Sequence, residues 1–226
     1  GSAQGNIISP ILANIYMHNV LTLWYKFVIK SNTFGNSFLA VYADDFIAGF
    51  QYKEDAERYY VLLKERLKKF NLELEESKSR MIEFGRYAEA NSKRKYGKKP
   101  ETFDFLGFTF YCGKGKKSGN FCVKLKTNRK KFQQKLKAVK EWLYEHQTIP
   151  VKELIMKLNT KLVGHYRYYG VSHNIAKIGA FLHFVQRYLF KVLNRRSHRQ
   201  SYTWDGYIDM LKVYPLAKPK IYVKLF

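Results

Sequence analysis

The chain has 226 residues, 46% of them hydrophobic and 17% aromatic, which is enough to bury a core and too apolar for a disordered segment. No run approaches the ~18 consecutive apolar residues of a membrane span, no signal-peptide pattern opens the chain, and Cys112 and Cys122 have neither a CxxC spacing nor a His-rich neighbourhood, which argues against zinc and a disulfide framework. The formal charge of +23 is uneven, since residues 91–226 hold 30 Lys and Arg against 7 Asp and Glu whereas residues 1–90 balance at 11 of each.

From Pro10 to about Ile29 the apolar residues Ile11, Leu12, Ile15, Tyr16, Leu23 and Phe27 recur at helical spacing, with Ser9 placed as N-cap and Pro10 at the first helical position. A long amphipathic helix is predicted there. Phe38–Tyr42 and Phe46–Phe50 are short β-prone runs parted by Ala43-Asp44-Asp45, the spacing of a hairpin with an acidic tip. Helical periodicity returns over Lys53–Asn71 through Ala56, Tyr60, Leu63 and Leu67, and Met81–Phe84 reads as a further strand. Glu89–Pro100, polar and basic with Asn91, Ser92, Gly97 and Pro100 as breakers, reads as a loop. Phe103–Tyr111 and Phe121–Leu125 form a second predicted hairpin across Gly113–Gly119, with both cysteines as free thiols on packed strands. Beyond Thr127 the period is helical, giving Asn128–Glu145, Val151–Tyr169, Asn174–Arg195 and Trp204–Val213, with Pro150, Gly170 and Gly179 as breaks or kinks. The predicted fold is α+β, an antiparallel sheet with helices over residues 1–125 and an all-helical region over 126–226.

So basic a second half implies a polyanionic partner, of which nucleic acid is the commonest. A solvated basic face and an anionic membrane surface are the competing readings. A soluble cytosolic protein is expected.

Two adjacent carboxylates at a strand-to-strand turn repel, so Asp44 and Asp45 call for a cation beside them. Mg²⁺ takes oxygen ligands and is usually held by one or two carboxylates plus substrate phosphates, which suits an exposed Asp pair better than a closed cage would. A turn that uses Asp only because Asp tolerates turns is the plainer reading.

Tyr42-Ala43-Asp44-Asp45, set between apolar Leu39-Ala40-Val41 and Phe46, resembles the YxDD box of reverse transcriptases. The stretch from Gly1 to Tyr16, with Gln4-Gly5 and Ser9-Pro10 at its centre, resembles the G-T-P-Q-G-x-x-x-S-P-L-L-A-N-I-Y motif that precedes this box in group II intron-type enzymes, Ser2 and Ala3 replacing Thr and Pro. Leu72–Lys78 is similar to the family's L-x-L-x-x-x-K segment, and Phe105-Leu106-Gly107 to its F-L-G primer-gripping hairpin. Leu158–Gly170 resembles the L-N-P-x-x-x-G-W-x-x-Y-Y signature of the maturase-specific thumb, with Thr160 for Pro and His165 for Trp. The likeness extends through Arg195–Trp204 to Tyr214–Ile221, and so over essentially the whole chain.

The resemblance implies a partial reverse-transcriptase palm over 1–125 and a helical thumb over 126–226. It implies RNA-directed DNA synthesis with a two-metal Mg²⁺ site on Asp44 and Asp45, an RNA template, a DNA primer and deoxynucleoside triphosphates as partners, and binding and splicing assistance for an intron RNA, in a bacterial setting. Lys78 would approach the departing pyrophosphate, or else be a surface lysine. Gln4 and Gly5, with Tyr42 and Ala43, would lie against template or nucleotide, while Gln4-Gly5 as a simple turn is the alternative. Phe105, Leu106 and Gly107 would clamp the primer terminus, or else fill a buried strand. The aromatic and basic mixture of His165–Tyr169 and Tyr188–Trp204 suits RNA, although the aromatics also fit a core. Arg195, Arg196 and Arg199 are the stronger candidates for phosphate contact.

In the family an aspartate from an earlier F-D-x-x-D segment completes the metal site, together with fingers that hold the nucleotide. This sequence starts at the Gln-Gly motif, so the chain alone is expected not to polymerise and its missing half is expected in a parent or a second chain. A non-catalytic RNA-binding splicing factor and a group II-like enzyme recruited to CRISPR spacer acquisition are the rival readings.

Overall fold

The computed structural model describes residues 8–115, 118–196 and 201–225. The chain forms two compact units, Gly1–Ile82 and Glu83–Phe226. Antiparallel strands with helices come first and a run of long helices follows, the α+β class expected from the sequence.

In the first unit α1 (Ser9–Met17) runs on through wide i→i+5 turns over His18–Leu23 and Tyr25–Ile29 into a tight last turn, Lys30–Asn32. The predicted helix is therefore present over its length but is not a regular one. Ser9 is not its cap: Ile8 holds that place with helical dihedrals and no side-chain cap hydrogen bond, and Pro10 stands in the first turn. The buried face also differs from the predicted stripe, because Ile11, Leu12, Ile15, Tyr16 and Phe27 are exposed whereas Val20, Leu21, Tyr25 and Ile29 are buried. A wide turn advances fewer degrees per residue than the 3.6-residue period, so a stripe spaced for an α-helix drifts off the core. Arg66 donates to the carbonyls of Val20 and Asn19 along this stretch, at 3.1 and 3.4 Å, with its guanidinium over Phe70.

Strands β1 (Ser37–Tyr42) and β2 (Asp45–Phe50) pair antiparallel, Ser37 opposite Phe50 and Tyr42 opposite Asp45. Helix α2 (Lys53–Lys69) starts with Glu54 and Asp55 and ends with Arg66, Lys68 and Lys69, charges that suit its two dipole ends. It buries Tyr59, Leu63 and Leu67 against the wide-turned part of α1, while Leu39, Phe46, Ala48 and Phe50 of the hairpin cover the same cluster. Asp55 is itself buried, and one oxygen accepts the N–H groups of Phe34 and Gly35 at 3.0 and 3.2 Å.

Met81–Phe84 is not a strand. Phe84 instead sets its ring edge-on to Phe103 at 5.0 Å, a side-chain anchor without ladder pairing. Nor is Glu89–Pro100 a loop, since α3 (Ala88–Tyr96) occupies most of it. Glu89 in its first turn and Lys93, Arg94 and Lys95 in its last match the helix dipole, and Gly97, at φ 63°, closes it with an N–H bond to the Lys93 carbonyl. Gly97 terminates a helix here, where the sequence pattern made it a loop signal.

The second sheet has three strands, not two, in the order β3 (Phe103–Phe105), β4 (Phe108–Lys114), β5 (Phe121–Thr127). The predicted strand Phe103–Tyr111 is broken by Leu106-Gly107, both left-handed at φ 48° and 76°, which turn the chain back on itself as a two-residue hairpin loop requires. Four helices follow: α4 (Arg129–Glu145), α5 (Val151–Tyr169), α6 (Ile175–Asn194) and α7 (Trp204–Val213). Asn128 caps α4 through its side chain, which accepts from Lys131 N, and Thr203 caps α7. Leu154, Leu158, Leu162 and Tyr166 of α5 meet Ile178, Phe181, Val185 and Leu189 of α6 in the core. Gly170 does end α5, but Gly179 lies inside an unbroken α6 with open space where a Cβ would stand. A single helical glycine costs only about 1 kcal/mol, too little to break twenty residues of packed helix. No helix among the described residues is long and apolar enough to cross a membrane.

Asn174 joins sheet to helices. Fully buried, it accepts from Thr127 N and donates to Thr127 Oγ1 and the Tyr169 carbonyl, each at 2.8 Å. Asn174→Ala leaves Thr127 N and Oγ1 without this buried partner and the Tyr169 carbonyl with Val171 N alone, and should lower unfolding free energy by about 3 kcal/mol, measured by urea titration.

His165 stacks on Phe181 at 3.7 Å, and burial, with Lys135 adding to it, pushes its pKa from 6.5 down to about 4. The unfolded chain then takes up the proton first as pH falls, so this contribution to stability is whole above pH 6.5 and is lost progressively towards pH 4. The loss is on the order of 3 kcal/mol. Unfolding free energies across that window should slope for the wild type and flatten for His165→Phe, which keeps the stacked ring without the titrating nitrogen.

Candidate active site and nucleic-acid interface

The acidic tip is built by the β1–β2 hairpin. Directly opposite residues of an antiparallel pair point to one face, so Tyr42 and Asp45 project together, on the side of Phe38, Ala40, Ile47 and Gly49. Leu39, Phe46 and Ala48 take the other side and bury it in the core, which leaves the Tyr42–Asp45 face in solvent. Tyr42 is 63% exposed and Ala43, Asp44 and Asp45 are exposed beside it. The Phe38 ring lies across Gly49, in the room a Cβ would fill.

Ala43-Asp44 forms the two-residue loop, and Ala43 is held at φ 52°. That left-handed conformation costs an L-residue roughly 1–2 kcal/mol, and such strain clusters where a turn has a task besides reversing the chain. Neither the Asp44 nor the Asp45 carboxylate forms an ion pair or a side-chain hydrogen bond with another described residue. Two exposed, unengaged carboxylates offer hard oxygen donors with coordination left over for water and phosphate, the donor set that suits Mg²⁺. Among the described residues no cluster of three His, Cys, Asp or Glu side chains surrounds a metal-sized space.

Lys78 is exposed in the turn after Leu74, its N–H bonded to the Glu75 carbonyl at 3.1 Å. The hydroxyl of Ser77 holds the Glu75 carboxyl below its ordinary range, and the Lys78 charge adds to this. No hydrogen bond or ion pair joins Lys78 to Asp44 or Asp45. Gln4, Gly5 and Arg199 lie outside the described residues.

In the second unit Phe105, Leu106 and Gly107 end β3 and form the turn to β4. The Tyr168 hydroxyl donates to the Leu106 carbonyl at 2.9 Å, and Asn128 N donates to the Gly107 carbonyl at 2.9 Å. Of the aromatic run His165–Tyr169, His165, Tyr166 and Tyr169 are buried in the core and only Tyr168, 54% exposed, reaches solvent. The sequence pattern of aromatics on both sides of a basic residue could not show which ring of the run would face outward.

Arg195 and Arg196 follow α6. The Arg195 guanidinium lies 5.2 Å from the Tyr144 ring centre. Arg196 lies beside Gln147 and Thr148 at a cavity of about 390 Å³, and its Nε and one terminal nitrogen are buried with no hydrogen-bond partner among the described residues. Burial lowers its pKa. The exposed lysines of α4 add further positive charge, with Lys137 paired to Glu141 among the described residues.

Residues 1–110 match the model of the family described as reverse transcriptase (RNA-dependent DNA polymerase). Residues 129–207 match that of the group II intron, maturase-specific domain. The comparison with curated proteins returns no match. The two family matches follow one another along most of the chain, the first over the hairpin with the Asp pair and the second over α4 to the start of α7, and the chain belongs to the group II intron reverse transcriptase/maturase family.

Proposed function

We propose that this chain contributes to RNA-templated DNA synthesis through Asp44 and Asp45, and that its helical part holds intron RNA and assists splicing. The observation that carries the reading is the pair of exposed, unengaged carboxylates on a strained two-residue turn, within a stretch that matches the reverse transcriptase family. Two like charges held together on a turn repel, a cost that a chain which only bound RNA has no reason to carry.

Asp44 and Asp45 would hold Mg²⁺, which would supply positive charge to offset that of the nucleotide phosphates and lower the cost of ionising the primer hydroxyl. Tyr42 and Ala43, on the same exposed tip, would lie against the incoming nucleotide, with Gln4 and Gly5 on the template side. Lys78, free of the Asp pair, would meet the charge of the departing pyrophosphate. Phe105, Leu106 and Gly107 would grip the primer terminus. Palm functions are assigned to 1–125 and thumb functions to 126–226. Arg195, Arg196 and Arg199 would meet RNA phosphates, and the unpartnered nitrogens of Arg196 support this, since a buried guanidinium donor without an acceptor is a costly group that an anion would satisfy.

Asp44→Ala in the complete enzyme should abolish primer extension on an RNA template while changing RNA affinity by no more than about 3-fold, because the carboxylates serve the metal and the basic helices serve binding. An equal loss of RNA affinity would make the hairpin structural.

Affinity for RNA should fall with salt, each phosphate neutralised on a single strand contributing roughly 0.7 to the slope of log affinity against log salt. Replacing Arg195, Arg196 and Arg199 together with alanine should flatten that slope by about 2 if all three reach phosphate. Fluorescence anisotropy over a salt series measures it, and an unchanged slope would put the RNA contacts elsewhere.

A further inference from the structure

The Leu106-Gly107 turn has little of its own to fix it. It closes a strand of three residues, Phe103–Phe105, with three register pairs to β4, and both its residues sit in the left-handed region. So short a pairing is marginal by itself, and the place of the turn must be set by what packs on it. Within this unit the Asn128 N–H holds the Gly107 carbonyl at 2.9 Å, and the side-chain packing comes from the last turn of α5. The Tyr168 hydroxyl donates to the Leu106 carbonyl at 2.9 Å, and the Tyr168 ring lies nearly parallel to Phe108, 8° apart with centres at 5.9 Å. Tyr169 sets its ring at 62° to that of Phe108 at 5.3 Å. A Cβ on Gly107 would lie 3.2 Å from the Tyr169 hydroxyl, so the turn is seated against the helix with room for hydrogen only.

The two tyrosines are not equivalent. Tyr169 is 4% exposed and bound into the core, its carbonyl accepting from Asn174. Tyr168 is 54% exposed and lies at the edge of that core, against the rings of Phe108 and Tyr169, so its hydroxyl has water available as an alternative partner yet points at the turn. We propose that Tyr168 is a positioning residue for primer extension: it fixes the Leu106-Gly107 turn from α5, so that a helix of the maturase-matching region sets where the primer-gripping turn stands. This rests on the assignment of Phe105-Leu106-Gly107 to the primer terminus. The maturase-specific helices then have a second role besides RNA binding, as the buttress of a polymerase element.

The test compares three variants of the complete enzyme in steady-state primer extension, with unfolding temperature and RNA affinity measured on each. Tyr168→Phe keeps the stacked ring and loses the hydrogen bond. It should raise the KM for the primer terminus about 5-fold, with kcat, RNA affinity and unfolding temperature unchanged. Gly107→Ala, strained at φ 76° and crowded by Tyr169, should raise it further. Tyr207→Phe serves as control: its buried hydroxyl donates to the Gln186 carbonyl at 2.9 Å, in the same unit but in the core, and its loss should lower unfolding temperature without a primer effect. A silent Tyr168→Phe beside an impaired Gly107→Ala would overturn the positioning role and leave the primer assignment standing. If a folded Gly107→Ala extends primers normally, the primer assignment fails and the proposal with it. A Tyr168→Phe defect that merely tracks lost unfolding temperature, as in Tyr207→Phe, would reduce Tyr168 to a structural residue.

Discussion

The buried amide of Asn174 is the constraint on which the second unit depends. One side chain satisfies the N–H and hydroxyl of Thr127, where β5 ends, and the last carbonyl of α5, where the helix gives way to Gly170. In a dry interior each of those groups is expensive to leave unmet, so the sheet can end and the helix can end only at this relative position. The three-stranded sheet, the cap of α4 at Asn128 and the seat of Gly107 against Tyr169 all follow within a few residues of it. Specificity of this kind comes from a polar group amid apolar ones, because Leu and Phe contacts alone tolerate sliding.

What the sequence disclosed and what it hid divide along physical lines. The β1–β2 hairpin was legible because two β-prone runs with an acidic break between them admit one arrangement, and the structure places the two-residue loop at Ala43-Asp44. Helices α4 to α7 were legible to within a residue, since their apolar spacing is regular and their ends carry Asn128, Pro150, Gly170 and Thr203. The buried face of the helix that begins at α1 was not, because wide turns change the angular period that any reading of spacing assumes. In the same way α3 was hidden by Asn91 and Ser92, which act as breakers only where their side chains compete with the backbone; here Asn91 reaches Glu83 and Ser92 reaches the carbonyls of Lys98 and Lys99. The Leu106-Gly107 turn was signalled only by the likeness to the F-L-G hairpin and not by the strand pattern, because leucine gives no sign of a left-handed backbone, and Tyr168 escaped notice because the one outward ring in a tyrosine run depends on helix phase.

Charge follows a different rule from fold. The acidic tip belongs to a stretch balanced in sign, whereas the positive excess lies wholly beyond residue 90, where the exposed faces of α4 to α6 carry far more Lys and Arg than Asp and Glu. Such a division lets two chemistries coexist in one chain: a carboxylate pair keeps its appetite for divalent cations when lysines are not its sequence neighbours, and a polycation keeps its hold on phosphate when acids are scarce around it.

Ala43 carries a consequence for the history of the molecule. Glycine would occupy φ 52° without the steric penalty an alanine meets, and asparagine with less of it, so a more stable hairpin lies one substitution away. A relaxed tip would also be a looser one, free to sample positions of the neighbouring carboxylates that a methyl group now forbids. With the methyl in place the turn gives up that stability for a narrower range of backbone angles, and a laboratory screen for heat resistance would drift away from it.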